Sequence, residues 1–126
     1  MGIQKFYICK KCGNLIGVID DHRVPVSCCA STMEELVPNT VDAAQEKHLP
    51  VVSIDGKNIN VKVGSAAHPM TDEHYITFIY IQTEQGGQRK KLFPGSNPEA
   101  DFVLVDDKLL AVFAYCNLHG LWKVDV

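Results

Sequence analysis

Nine of the ten cysteine and histidine side chains in this 126-residue chain fall into two sets with metal-ligand spacing. Cys9, Cys12, Cys28 and Cys29 form the first set; His48, His68, His74, Cys116 and His119 form the second, and only His22 is left over. Residues this reactive constrain a fold strongly, because each set has to converge on one point. An odd number of cysteines fits a disulfide framework poorly, whereas clustered cysteines in a reducing compartment more often bind metal.

The spacing also divides the chain. Residues 1–37 hold the whole first set and three short β-prone runs, Lys5–Ile8, Leu15–Ile19 and Val24–Val26, separated by Cys-Gly and Asp-Asp-His turns. So short a piece cannot build a sufficient apolar core, so a metal is the expected staple. Residues 38–126 read differently. Asn39-Thr40 is placed to cap a helical turn through Ala43-Ala44-Gln45, ending near Pro50. Beyond it, Val51–Ile54 and Asn58–Val63 flank Asp55-Gly56, a hairpin signal. Tyr75–Thr83 and Gln88–Phe93 flank Gln85-Gly86-Gly87, and Phe102–Val105 and Leu109–Tyr115 flank Asp106-Asp107-Lys108; Leu121–Val126 closes the series. Six or seven short strands with regular turns predict an antiparallel sandwich. Tyr75–Ile81 is apolar on nearly both faces and belongs at its centre.

Net charge is −3 and no long basic run occurs, which argues against nucleic acid as a partner. No apolar run approaches the ~20 residues of a membrane span. The first eight residues lack a secretory pattern, and Phe6 stands where a myristoylation signal needs Ser or Thr. The expected location is the cytoplasm.

Cys9-Lys10-Lys11-Cys12 is a C-x2-C knuckle, and Gly13 frees the backbone to aim amides at the sulfurs. Fifteen residues further come the adjacent Cys28 and Cys29. Four thiolates suit tetrahedral zinc or a one-iron centre, and a vicinal pair should distort the tetrahedron. In the second set His48 follows Glu46-Lys47, His68 precedes Pro69, His74 opens the apolar strand, and Cys116 and His119 share one segment. These positions are strand ends and loops that converge at one end of a sandwich. Several imidazoles with one thiolate suit a redox metal. The residue types alone allow iron, zinc, copper or nickel.

The two sets together resemble the desulfoferrodoxins, two-iron superoxide reductases. The similarity runs over essentially the whole chain, through C-x2-C-x15-C-C, Glu46-Lys47-His48 with Pro50, Ala67-His68-Pro69-Met70, His74, and Cys116-Asn117-Leu118-His119-Gly120. The resemblance implies a mainly β protein: a desulforedoxin-like unit (1–37) carrying iron on the four thiolates of Cys9, Cys12, Cys28 and Cys29, and an immunoglobulin-like sandwich (38–126). The latter would hold a second iron on the four imidazoles of His48, His68, His74 and His119 and on Cys116, with the thiolate axial. It further implies reduction of superoxide to hydrogen peroxide, a rubredoxin-like external electron donor, and a homodimer. Lys47 is the candidate for steering superoxide and ordering a proton-delivering water; Glu46 is the candidate for covering the ferric site once peroxide leaves. Two other readings compete: a non-catalytic electron-transfer protein, and a zinc-stapled binding module.

Overall fold

The computed structural model describes residues 2–126. It divides into two compact units, one ending at Val37 and one running from Pro38 to Val126.

In the first unit β1 (Phe6–Ile8) pairs with β2 (Leu15–Gly17), while β3 (Ser27–Cys28) and β4 (Ser31–Thr32) form a two-residue ribbon. β5 (Glu34–Glu35) adds to the other edge of β1. The buried apolar side chains here are Phe6, Cys9 and Met33. Val24–Val26 does not form a strand. Pro25 has no N–H to give a ladder, and Val24 is left exposed. The pairing role passes to the residues that follow, with Met33 N–H donating to Val26 O at 2.7 Å.

The second unit opens on α1 (Gln45–His48), a single turn. Its N-terminus carries no side-chain cap, and the N-cap is Ala44. Asn39 serves elsewhere: its amide exchanges two hydrogen bonds with the backbone of Lys123, at 2.8 and 3.0 Å. Seven strands then follow among the described residues: β6 (Pro50–Asp55), β7 (Asn58–Val63), β8 (Ile76–Thr83), β9 (Gly86–Lys91), β10 (Glu99–Val103), β11 (Leu109–Cys116) and β12 (Gly120–Asp125).

They make two antiparallel sheets, β10-β7-β6 and β12-β11-β8-β9. The 55–58 hairpin forms with Asp55 opposite Asn58, and Gly56 adopts the positive φ of 60° that its turn requires. β8 sits between β11 and β9, as its two-faced apolar sequence requires. The segment at 106–108 is not a hairpin. β10 pairs with β7 and β11 with β8 and β12, so the connection crosses from one sheet to the other. Asp107 supports that crossing by accepting from the amides of Gln85 and Lys108.

Alternation along the strands fills one core. Ile59, Val61 and Val63 of β7 meet Ile79 and Ile81 of β8 and Val112 and Ala114 of β11, with Leu92, Phe102, Leu104 and Leu109 around them. Cys116 belongs to the same cluster, so a candidate ligand is the last inward side chain of β11. This two-sheet antiparallel sandwich is immunoglobulin-like, three strands facing four.

Candidate metal centres

In the first unit the ligand atoms of Cys9, Cys12, Cys28 and Cys29 all lie within 4.8 Å of one another. The sulfurs of Cys12 and Cys28 are 3.6 Å apart, and those of Cys28 and Cys29 3.9 Å. Gly13, at φ 85°, turns the knuckle, and its N–H donates to Cys9 O. Asn14 N–H then points at Cys12 Sγ from 3.5 Å. Adjacent cysteines reach one point because Cys29 and Ala30 are both left-handed, at φ 51° and 58°. Backbone amides of Cys12 and Lys11 pull the Cys9 thiol down to about 6. Its neighbours respond in the opposite sense. Cys29 is pushed up to about 12 and Cys28 is raised, first by sharing hydrogen bonds with Cys12. One thiolate forms readily here; a full quartet needs a cation at its centre.

In the second unit the ligand atoms of His48, His68, His74 and Cys116 also lie within 4.8 Å of one another. His119 completes the group, its Nδ1 3.1 Å from His48 Nε2 and 3.9 Å from Cys116 Sγ. The four imidazoles close a cycle. Neighbouring rings, His48–His68, His68–His74, His74–His119 and His119–His48, have centroids 4.6, 4.7, 5.0 and 4.9 Å apart and stand at 79–83° to each other. The diagonal, His48–His74, is longer at 6.4 Å. Four edge-on rings in a square, with a thiol against it, describe the surroundings of a single ion.

Local structure explains how the sequence brings these groups together. His48 ends α1, and its Nδ1 lies 2.7 Å from Ala44 O one turn earlier. His68 Nδ1 lies 2.7 Å from Pro69 O, and its backbone N–H ties back to Val63 O at the end of β7. A carbonyl can only accept, so both Nδ1 atoms carry the proton and both Nε2 atoms present lone pairs. Those two Nε2 atoms are 3.2 Å apart. Two lone pairs at that distance repel unless an electrophile sits between them. His74 Nε2 is buried with no hydrogen-bond partner. Burial lowers the pKa of His48 and His74 and brings His68 down to about 4, which keeps the rings in their ligand form. Burial also raises the Cys116 thiol, against which the amides of His119 and Leu118 work only in part. A metal cation answers each of these demands together, so the residues fit one.

Three supporting residues lie outside the ligand sets that the sequence suggested. Trp122 stacks on His48, centroids 4.9 Å apart, and donates to His119 O. Gly64 lets the chain after β7 lie under α1: a Cβ there would stand 2.6 Å from Glu46 O. Beside it, Ala66 N–H and Ser65 Oγ both donate to Glu46 O. Asn117 brackets His74 from the next loop. A lone tryptophan and an Asn beside a candidate thiolate are visible in the sequence; nothing there signals the close approach at Gly64. Lys47 and Glu46 are exposed on α1.

The family profile described as Desulfoferrodoxin matches residues 40–125. The chain belongs to the desulfoferrodoxin family. It is 40% identical over 121 residues to a desulfoferrodoxin homolog of Archaeoglobus fulgidus, covering 96% of each chain. It is 46% identical over 117 residues to a desulfoferrodoxin of Syntrophotalea carbinolica, covering 93% of this chain and 92% of that one. The crystal structure of the superoxide reductase from Treponema pallidum aligns with a TM-score of 0.83 at 39% identity, covering 98% of this chain and 100% of the other. A one-iron superoxide reductase from Giardia intestinalis aligns with a TM-score of 0.55 at 32% identity, covering 64% of this chain and 99% of its own.

Proposed function

We propose that the protein is a superoxide reductase that converts superoxide to hydrogen peroxide by one electron and two protons, with iron at both centres. The observation that carries this reading is the square of four imidazoles with the Cys116 thiol against it. His48, His68, His74, His119 and Cys116 would hold the catalytic ion. Cys9, Cys12, Cys28 and Cys29 would hold the other. Ferrous iron held by the four imidazoles and the thiolate would supply the single electron.

The protein's own groups do the rest. The Cys116 thiolate adds electron density at the site, and its buried position in the core keeps water from it. Lys47, beside His48, offers a compact, well-hydrated cation that draws in the anionic substrate and orders the water that delivers protons. Its charge acts on the site: after burial and the other imidazoles, it is among the influences that lower His48 and His74. Screening beyond ~8 Å makes this local field matter more than the net charge of −3. Glu46, exposed two residues before His48, would supply a carboxylate that covers the site after peroxide leaves. The electron is restored by a rubredoxin-like donor, the working form is a homodimer in the cytoplasm, and the tetracysteine iron is dispensable for one turnover. The one-iron relative from Giardia intestinalis, which matches only part of this chain, supports that last point.

Mixing prereduced protein with a pulse of superoxide tests the reading. The expected yield is about one peroxide per catalytic iron, and loss of the reaction in Cys116→Ser while the sandwich stays folded. Peroxide formation at the wild-type rate by Cys116→Ser removes the thiolate from the mechanism. A colourless, zinc-only protein removes the redox reading.

A further inference from the structure

Two of the four imidazoles are steered through their own rings: the Nδ1 atoms of His48 and His68 each hold a backbone carbonyl at 2.7 Å. Among the described residues no such hydrogen bond anchors the ring of His74, whose Nε2 is buried and unpartnered. That ring is aimed only by its backbone, and the backbone is held from two sides. On one side a tight turn closes on Thr71: Thr71 N–H donates to His74 O at 3.0 Å, and His74 N–H faces Thr71 O and Oγ1 at 3.2 and 3.1 Å. On the other side stands Asn117.

The Asn117 side chain makes two hydrogen bonds that straddle His74. Nδ2 donates to Glu73 O at 3.0 Å, and Oδ1 accepts from Tyr75 N–H at 3.0 Å. Its backbone N–H adds a third bond, to Tyr75 O at 3.2 Å. The β8–β11 ladder shifts register between Tyr115 and Cys116, where the regular pairing ends. The amide of Asn117 carries the pairing past that irregularity, standing in for a strand residue with one donor and one acceptor. Because Asn117 adjoins Cys116, the clamp ties the segment bearing His74 to the segment bearing Cys116 and His119.

We infer that Asn117 is a positioning residue that fixes the His74 imidazole in the square by clamping the backbone on both sides of it. The inference rests on the assignment of His74 as a ligand made above. Side-chain chemistry makes the position exacting. Asp keeps the acceptor for Tyr75 N–H but sets an oxygen against Glu73 O. Gln is longer by one methylene. Ala provides neither bond. Groups that orient metal ligands are typically worth 10–100-fold in metal affinity when removed.

Three measurements on the full-length iron-loaded protein test this. First, amide exchange at Tyr75 should quicken in Asn117→Ala and stay near wild type in Asn117→Asp. Second, iron at the histidine centre of Asn117→Ala should pass to a chelator about 10–100-fold faster, with an altered ferric absorption and EPR spectrum. The tetracysteine centre in the same samples should be unchanged, and Asn117→Asp should fall between. Third, adding Asn117→Ala to His74→Ala should bring no further increase, since the ring it positions is gone. Unchanged Tyr75 exchange in Asn117→Ala overturns the clamp. Faster exchange with wild-type iron release and spectrum overturns its role in aiming His74, as does full additivity with His74→Ala. Wild-type protein that holds iron only on its cysteines defeats the assignment of the second centre instead, and Tyr75 exchange in that protein still reads the clamp.

Discussion

The two units hold their candidate ligands in opposite ways. In the first, four cysteines sit on short ribbons and turns, with Cys12 and Cys29 exposed and, among the described residues, only Phe6, Cys9 and Met33 buried as apolar side chains. One of those three buried side chains is itself a ligand candidate. In the second, His48, His68 and Cys116 are buried, and the thiol is part of a core drawn from both sheets. A core as small as the first cannot outweigh chain entropy alone, while the sandwich has a core of ordinary kind. The first unit is therefore expected to depend on its metal for folding, and the sandwich to fold without one and offer its metal a finished socket.

The sharpest way to break that contrast is Cys28→Ser. Three thiolates and a hydroxyl hold iron poorly, so the first unit should lose its metal and its amide dispersion. The sandwich should keep its melting transition, and prereduced protein should still give about one peroxide per catalytic iron. Loss of that single turnover, with the histidine centre ferrous and occupied, would falsify the division of labour between the units.

Gly64→Ala probes the finished socket from the other side. Its Cβ would meet backbone oxygens of Glu46 and Leu49 at 2.6 and 3.0 Å, so α1 has to shift. Overpacking of this kind costs about 1–3 kcal/mol, which lowers the melting temperature of a domain of this size by roughly 5–20 °C. The visible spectrum of the histidine centre should change because His48 moves with α1, whereas the tetracysteine spectrum should not. A shift in both spectra would mean the units are not independent.

Lys47→Ala touches neither fold nor ligands, and its effect should be the smallest. The second-order rate with superoxide should fall by roughly tenfold and become less sensitive to salt. Stopped-flow rates across ionic strength measure this; equal rates and slopes in both proteins would leave Lys47 an ordinary solvated residue.

Much of this was legible in the sequence because metal ligands are rare residue types with informative spacing. The convergence of His48, His68, His74 and Cys116 could be anticipated from strand ends and loops, and the Asp55-Gly56 turn fixed one hairpin register. What escaped depends on tertiary pairing. Residues 106–108 look like a hairpin turn, but which sheet a strand joins is settled by the core, and β10 and β11 part there. Asn39 resembles a helix cap, yet Lys123 lies 84 residues away in sequence and takes its amide. Gly64 and Asn117 matter through what approaches them, and sequence spacing carries no record of that approach.

Trp122 has a consequence beyond packing. It is the single tryptophan of the chain, stacked on His48 and bonded through Nε1 to the carbonyl of His119. Its near-ultraviolet emission therefore originates against the histidine centre. Excited indole is readily quenched by a neighbouring protonated imidazole or redox-active ion. That emission should fall as a redox-active ion fills the histidine socket, which titration of ferrous iron into metal-free protein measures without a label.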